Sequence, residues 1–561
     1  MSLPSNPTPS NEIPAETVRV AKASFRKGNA LMRLRDECGP LFVAADFADL
    51  YSWKGEEGIA PELLATVTVL QYVEGLSDQQ ALRMVCGRID WKYLLGLELT
   101  YSGFDQSVLS EFRARLVTYE AAERLFERPL VRLRAQGLLK ERGRQRTDST
   151  QVLAAIRTVN RMEVVGETLR YTLNQVAITA CDWLSGWVPA DWFDRYSSRI
   201  EEAKLPSQES ERQQLVVTIG SDGYQLLTRL LAPETPAFLK ELPAVALLWQ
   251  VWLQQYEQVE GQVRWRAAGN LPPAERMINS PYDPAARFSR KRQTTWTGYK
   301  VHLTESYDDN LPHLITHVET TPATEPDCQT LPKIHQALAA KQLLPAEHTV
   351  DAGYMDIDNL LDSRHDHAVD LCGPMRPDSS WQARQQTGYA LAHFVVDWQA
   401  ETVSCPQGHT SQLWSPTTTK TGEASISVRF HADDCTACPV RQLCTQAKTG
   451  PRGLHLQPTQ QHHELLQQQR RTQQEPAFFQ RYRGRAGIEG TISQGVRTAG
   501  LRTARFLGEA KTRLQHLATA TALNWCRLAA WLVDHSPAQT RISAFAELAP
   551  TPPPPLALAL P

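Results

Sequence analysis

The chain has 561 residues, of which 42% are hydrophobic and 21% charged, and its net charge is −2. That length leaves room for several domains, and the composition is that of a soluble globular protein. No apolar run is long enough to cross a membrane, MSLPSNPTPSNEIP is not a secretory leader, and ten cysteines in so long a chain are no disulfide scaffold. Neither a membrane span nor secretion is expected, and a cytoplasmic location is.

In chain order, residues 1–44 read as flexible or partly helical, with a Pro-rich start. Pro61 to about Leu139 reads as helical. PELLATVTVLQYVEG has apolar residues at helical spacing and stops at Gly75, and Ser77 with Gln80 forms a capping-box pattern that opens the next helix. A later helix, DQSVLSEFRARL, opens at Asp105 and carries Arg113 and Arg115. Helix, short Gly turn, helix fits a DNA-binding helix-turn-helix and equally a small helical bundle.

Strands are expected next: QRTDSTQVLAAI around Asp148, then WTGYKVHLTES and HLITHVETT joined by the turn-rich YDDNLP. A helix, CQTLPKIHQALAAKQLL, precedes a short strand, EHTVDAGY, after which come a short helix and the strand AVDLCG. This order suits a mixed sheet with one or two crossover helices. Two long pieces interrupt it. Residues 159–271 read as helical, PAVALLWQVWL being a buried helix, and residues 379–474 hold clustered cysteines; both are too long for loops and read as insertions. The closing APTPPPPLALALP is a Pro-rich tail.

The overall charge hides local clusters. VRLRAQGLLKERGRQR carries six basic residues and one acid, and ARFSRKRQTTWTGYK carries five and none, among them Arg290, Lys291 and Arg292. From Arg481 to Arg505 there are six arginines and a single acid, Glu489. Each cluster taken alone is compatible with a solvated face, whereas together they would build a phosphate-binding surface.

Three carboxylates stand out. Asp148 lies inside a strand entered from a run of arginines, Asp351 ends another strand, and Glu489 sits in the late basic segment. Metal-dependent phosphoryl transfer needs hard oxygen ligands that converge on one or two divalent cations, and strands hold such ligands in fixed positions. The bland readings are a turn-forming Asp351, an Asp148 that satisfies local backbone donors, and a surface ion pair between Arg485 and Glu489. Tyr482, Arg485 and Glu489 are three and four apart and would share a helical face, beside an apolar stripe of Ile488, Ile492 and Val496. Glu464 and Glu475 lack the upstream Tyr and Arg.

Cys435-x2-Cys438-x5-Cys444, with Cys405 thirty residues earlier, is a good donor set for a closed tetrahedral Zn²⁺ site of structural type. His409 or His431 is an alternative ligand, and reduced, unligated cysteine is the plain one.

These features resemble the bacterial insertion-sequence transposases of the DDE class. The resemblance rests on the strand with Asp148, GYKVHLTES, VDAGYMD with Asp351, and Tyr482-x2-Arg485-x3-Glu489, which is similar to the Y-x2-R-x3-E-x6-K signature of one branch. GLRTARFLG and ATATALNW look like the family's C-terminal helix region. The signature's Lys falls on Val496 here, with Arg497 one place later. That is about 100° of helical rotation, so Arg497 fills the role only if the helix end bends.

The resemblance implies a multidomain α/β chain with a ribonuclease-H-like mixed-sheet core at 140–158, 272–378 and 475–535. A helical DNA-binding domain would span 45–139, a helical insertion 159–271, a Cys-rich zinc-binding insertion 379–474 and the tail 536–561. It implies that Asp148, Asp351 and Glu489 bind two Mg²⁺ (or Mn²⁺) ions. Tyr482, Arg485, Arg497, Arg290, Lys291, Arg292, Arg113 and Arg115 would contact DNA. The implied partners are double-stranded DNA, both terminal inverted repeats and target, and a second copy in a homodimer on DNA, with no membrane and no nucleotide cofactor. The implied activity is cleavage at transposon ends and joining of the 3′-hydroxyls to target DNA. A metal-dependent nuclease without strand transfer and a catalytically silent DNA-binding repressor are the alternatives.

Overall fold

The computed structural model describes residues 2–3, 12–52, 54–157, 159–202, 205–419, 422–533 and 548. The Pro-rich start and tail read from the sequence lie almost entirely outside these residues. Within them the chain is mixed α/β, and no helix is long and apolar enough to cross a membrane.

The N-terminal third is helical for the local reasons read above. Pro61 opens the helix Pro61–Glu74, where a missing N–H costs nothing, and Gly75 closes it in the left-handed conformation at φ 68°. The Ser77–Gln80 capping box forms in both directions and starts Asp78–Gly87. The helix that carries Arg113 begins at Ser107, two residues beyond the expected cap. Asp105 instead accepts the Ser107 N–H at 2.8 Å. Pro243–Gln255, the most apolar stretch, is the expected buried helix, with Leu248, Val251 and Trp252 in a core.

The main sheet has six strands: β1 (Arg144–Leu153), β4 (Arg287–Lys291), β5 (Thr294–Ser306), β6 (Ile315–Pro322), β7 (Glu347–Val350) and β8 (Asp370–Cys372). β2 (Tyr256–Val259) and β3 (Gln262–Trp265) form a separate hairpin. β5 pairs antiparallel with β1, β6 and, at its start, β4; β1 then pairs parallel with β7, and β7 parallel with β8. β4 was not anticipated. Its residues, RFSRK, read as a basic cluster with no alternation, and only pairing with the long β5 makes them a strand.

β1 is the centre of this sheet. It is ten residues long, but β7 pairs only with Arg144 to Thr147 and ends opposite Thr147 at Val350. Asp351 therefore leaves the sheet beside Asp148. The long helix Glu509–Trp531 packs on β6 and on the N-terminal helices, where Thr521 donates to the Leu125 carbonyl at 2.9 Å and Trp525 meets Phe42. Sheet, N-terminal helices and this helix share one apolar core.

Each of the two long intervening segments has an apolar cluster of its own. One is built around Trp192, Leu226, Leu248 and Trp252. The other is built around Phe394, Val403, Val428 and Phe430. The second segment is strand-rich, with β9 (Val395–Asp397) on β10 (Thr402–Ser404) and β11 (Leu413–Thr418), β12 (Ala424–Arg429) and β13 (Gly453–Leu456) in one sheet.

Candidate active site

Asp148 sits mid-strand and half-buried on β1, where its Oδ1 accepts the Ser149 N–H at 2.8 Å. Burial pushes its carboxyl pKa up; the Ser149 N–H opposes this, nearby Asp351 adds to it, and Arg485 and Lys291 pull it down. Asp351 lies just past the end of β7, and its Oδ1 accepts the Gly353 N–H at 2.8 Å. It therefore shapes the turn and also reaches Asp148 electrostatically.

Glu489 comes from the other end of the chain. The helix Pro476–Tyr482 runs through a tight turn, Arg483–Arg485, into the helix Ala486–Ala499. Ile488 and Ile492 are buried and Val496 partly so, which seats the expected apolar stripe on the core. Glu489 faces outward with its side chain 60% exposed. Arg485 joins the carboxylates, with Nη1 2.9 Å from Asp148 Oδ2 and Nη2 donating to Glu489. The Tyr482 ring stacks on Phe478 and lies under the Arg485 guanidinium.

The bend that Arg497 needs does not occur. The helix runs unbroken to Ala499 and is closed by Gly500 in the left-handed conformation. Arg497 points into solvent, and its Nε donates to the Ser493 carbonyl. The glycines of this helix do not weaken it into a kink, although each costs roughly 1 kcal/mol relative to Ala. Gly487, and Gly484 in the turn before the helix, make room for neighbours. A Cβ at Gly487 would stand 2.2 Å from the Arg146 guanidinium, and one at Gly484 2.9 Å from the Tyr307 ring.

Sequence reading missed part of the site. Asp327 begins the helix Asp327–Ala340; its Oδ1 takes the Lys300 ammonium at 2.9 Å and its Oδ2 the Ser149 hydroxyl at 3.3 Å. Asp327 Oδ2 and Asp351 Oδ1 each lie 3.0 Å from the position a Cβ on Gly353 would take. Tyr354 is fully buried, its hydroxyl 2.6 Å from His302 Nδ1. Burial raises its pKa, as do the negative charges of Asp327, Asp148 and Asp351, so the three carboxylates gather round one phenol. No spacing in the sequence marks Asp327 or Lys300; the one available signal was an acid at a helix start after TTPATEP.

The basic residues divide. Arg290, Lys291 and Arg292 are exposed at the turn from β4 to β5, with Lys291 close enough to act on Asp148. Arg113 and Arg115 are turned to the protein instead. Arg113 is 11% exposed and holds Asp78 at 2.6 Å, and the Arg115 guanidinium lies 4.3 Å from the centroid of the Tyr51 ring. Both lie on a helix face that packs against neighbours, which a pattern of charges along one helix does not reveal.

Cys405, Cys435, Cys438 and Cys444 line one cavity with His409 and Asp434, while His431 caps the helix Ala432–Ala437. Burial pushes the Cys444 thiol up, and the other three cysteines add to the shift while Arg452 opposes it. Among the described residues, no three His, Cys, Asp or Glu side chains stand in a ready-made metal-holding arrangement. The cysteines are free thiols that face a shared space.

Two family models match the chain, both of transposase domains. A transposase domain (DUF772) covers residues 19–115, the helical N-terminal region, and a transposase DDE domain covers residues 404–529, from the cysteine segment through Glu489 to the long helix. Both matches support an insertion-sequence transposase of the DDE class. No curated protein and no solved structure matches it. Asp148 and Asp351 lie outside both matched segments. The matched DDE domain supports a nucleic-acid-processing enzyme of the transposase kind.

Proposed function

We propose that Asp148, Asp351 and Glu489 form the catalytic site of a ribonuclease-H-like core that cuts DNA at the ends of its own element and joins them to a target. The observation that carries this reading is that Arg485 bridges Asp148 and Glu489 while Asp351 lies close enough to act on Asp148, three carboxylates from three distant segments. Strand order supports it: three antiparallel strands, β6, β5 and β1, continue into parallel β7 and β8.

The donor set fits a hard divalent cation. It consists of carboxylate oxygens, and Asp351 raises the Asp148 carboxyl pKa while Arg485 and Lys291 lower it. When bound, two Mg²⁺ or Mn²⁺ ions would supply the Lewis acidity that activates the attacking oxygen and stabilises the leaving one. The chain's own part is positioning. β1 fixes Asp148, the turn after β7 fixes Asp351, and the Ala486–Ala499 helix brings Glu489. Arg485 and Tyr482 would turn to phosphate oxygens, with Arg497 and the Arg290–Lys291–Arg292 turn along the flanking duplex. Water first attacks the phosphodiester at the element's end, breaking its P–O bond and freeing a 3′-hydroxyl. That hydroxyl then attacks a target phosphorus, forming one P–O bond as another breaks.

The helical region 45–139 would recognise terminal inverted repeats in a homodimer that holds two ends. Segments 159–271 and 379–474 would be insertions in the core. The four cysteine thiolates suit one structural Zn²⁺ that leaves no open position for substrate.

The test is incubation of the protein and Mg²⁺ with terminal-repeat DNA and a supercoiled target. Strand-joined product is expected. Cleavage alone would point to a nuclease, and binding without cleavage to a repressor. Asp148→Asn, Asp351→Asn and Glu489→Gln should each lower cleavage by on the order of 10³-fold or more while DNA binding persists. Full activity in all three would remove the site assignment.

A further inference from the structure

Glu305 on β5 is a buried charge that the proposed chemistry does not use. It is 0% exposed, yet every oxygen of its carboxylate is engaged. Arg146, two residues before Asp148 on β1, donates Nε to Glu305 Oε1 at 2.7 Å and sets Nη2 2.6 Å from the same oxygen. Arg527 of the long helix donates to Oε2 at 2.6 Å, and Thr491, two residues after Glu489, donates its hydroxyl to that oxygen. Arg527 also donates to the Thr491 hydroxyl.

This network grips the Glu489 helix on both sides of the residues that face the site. Ahead of Arg485, Arg146 Nη1 donates to the Gly484 carbonyl at 2.5 Å. Beyond Glu489, Thr491 is tied to Glu305. Between them the Arg146 guanidinium lies against the helix at Gly487, where any Cβ would strike it, with the Tyr307 ring also near it. A buried ion pair is weak grounds for stability, because desolvation offsets most of its attraction. What it does impose is one geometry, and here that geometry relates the helix of Glu489 to the strand of Asp148.

We infer that Glu305, Arg146 and Thr491 are positioning residues that set Glu489 and Arg485 against Asp148, and that divalent-cation affinity depends on this clamp. The inference rests on the reading of Asp148, Asp351 and Glu489 as the cation site. Nothing in the clamp touches substrate, so its loss acts through the carboxylates it holds.

The test uses the full-length protein with Thr491→Val and Gly487→Ala, and Thr491→Ser as the conservative control. Calorimetric titration with Ca²⁺ in the absence of DNA reads cation affinity directly, and melting temperature and terminal-repeat binding read fold and DNA contact. Both disruptive variants should bind Ca²⁺ about 10-fold or more weakly, and the Mg²⁺ concentration for half-maximal cleavage should rise in step. Thr491→Ser should bind Ca²⁺ as the parent does, and DNA affinity should hold. A folded Thr491→Val protein with parental Ca²⁺ affinity would overturn the clamp, and this near-isosteric variant keeps the test decisive should Gly487→Ala fail to fold. Glu489→Gln separates the two readings. If it binds Ca²⁺ and cleaves like the parent, the cation site itself is misassigned; if it loses both while Thr491→Val loses neither, only the clamp falls.

Discussion

Arg485 and Asp148 stand 337 positions apart in the chain and 2.9 Å apart in space. The same guanidinium also holds Glu489, so one cation is shared by two carboxylates from distant parts of the sequence. It occupies oxygens that the proposed metal site would need, and under that proposal it would be released toward the incoming phosphates.

That competition predicts opposite effects of Arg485→Ala. Charge-assisted hydrogen bonds are worth roughly 1.5–3 kcal/mol, so removing the competitor should tighten Ca²⁺ binding to the DNA-free protein by about 10-fold. Loss of a phosphate donor should at the same time slow single-turnover cleavage by about 10²-fold. Weaker Ca²⁺ binding in this variant would contradict the exchange.

Arg113 and Lys291 should behave as different kinds of residue. Arg113→Ala strands the Asp78 carboxylate and should cost roughly 2 kcal/mol of stability, read by denaturant unfolding, with the salt dependence of DNA binding unchanged. Lys291→Ala should leave stability alone and lower the slope of log affinity against log salt by about 1. The reverse pattern would return Arg113 to the DNA surface.

Zinc should follow the thiols. Purified protein is expected to release about one equivalent of Zn²⁺ to a chromogenic chelator after thiol modification, and Cys435→Ser to carry much less and melt earlier. A metal-free parent with an unaltered melting temperature would leave these cysteines as plain thiols.

Acid should unfold the protein through its buried histidines. Burial lowers His302 to about 4 and His335 and His516 to about 3. Between an unfolded value near 6.5 and these folded values, the unfolded chain binds protons that the folded one does not. Stability therefore falls as pH falls below 6.5, by up to about 1.4 kcal/mol per unit for each histidine. Urea midpoints measured from pH 7.5 to 4.5 should show that decline, and His335→Gln should make it shallower; a flat profile would count against it.

How much was legible in advance differs by residue. The capping box at Ser77, the stop at Gly75 and the stripe of Ile488, Ile492 and Val496 are local, set by a few neighbouring residues, and the structure carries them as read. β4 was not legible, because RFSRK becomes a strand only by pairing with β5. Asp327 and Lys300 were missed because their meeting depends on β5 and the Asp327–Ala340 helix being packed together. Arg113 and Arg115 read as DNA contacts because sequence does not say which face of a helix is covered.

Sequence alone determined which residues are the candidates for the chemistry: an aspartate within a strand, another at a strand end, and a lone glutamate among arginines. Only the tertiary structure decided how they meet. β7 stops one residue short of Asp351, so Asp351 emerges beside Asp148, and a buried Glu305 with two arginines sets the glutamate's helix across β1. Gly487 and Gly484 of RYRGRAGIEG leave the space that Arg146 and Tyr307 fill. A half-buried carboxylate needs a counter-charge, and the one that pairs with Asp148 lies 337 positions away in the chain.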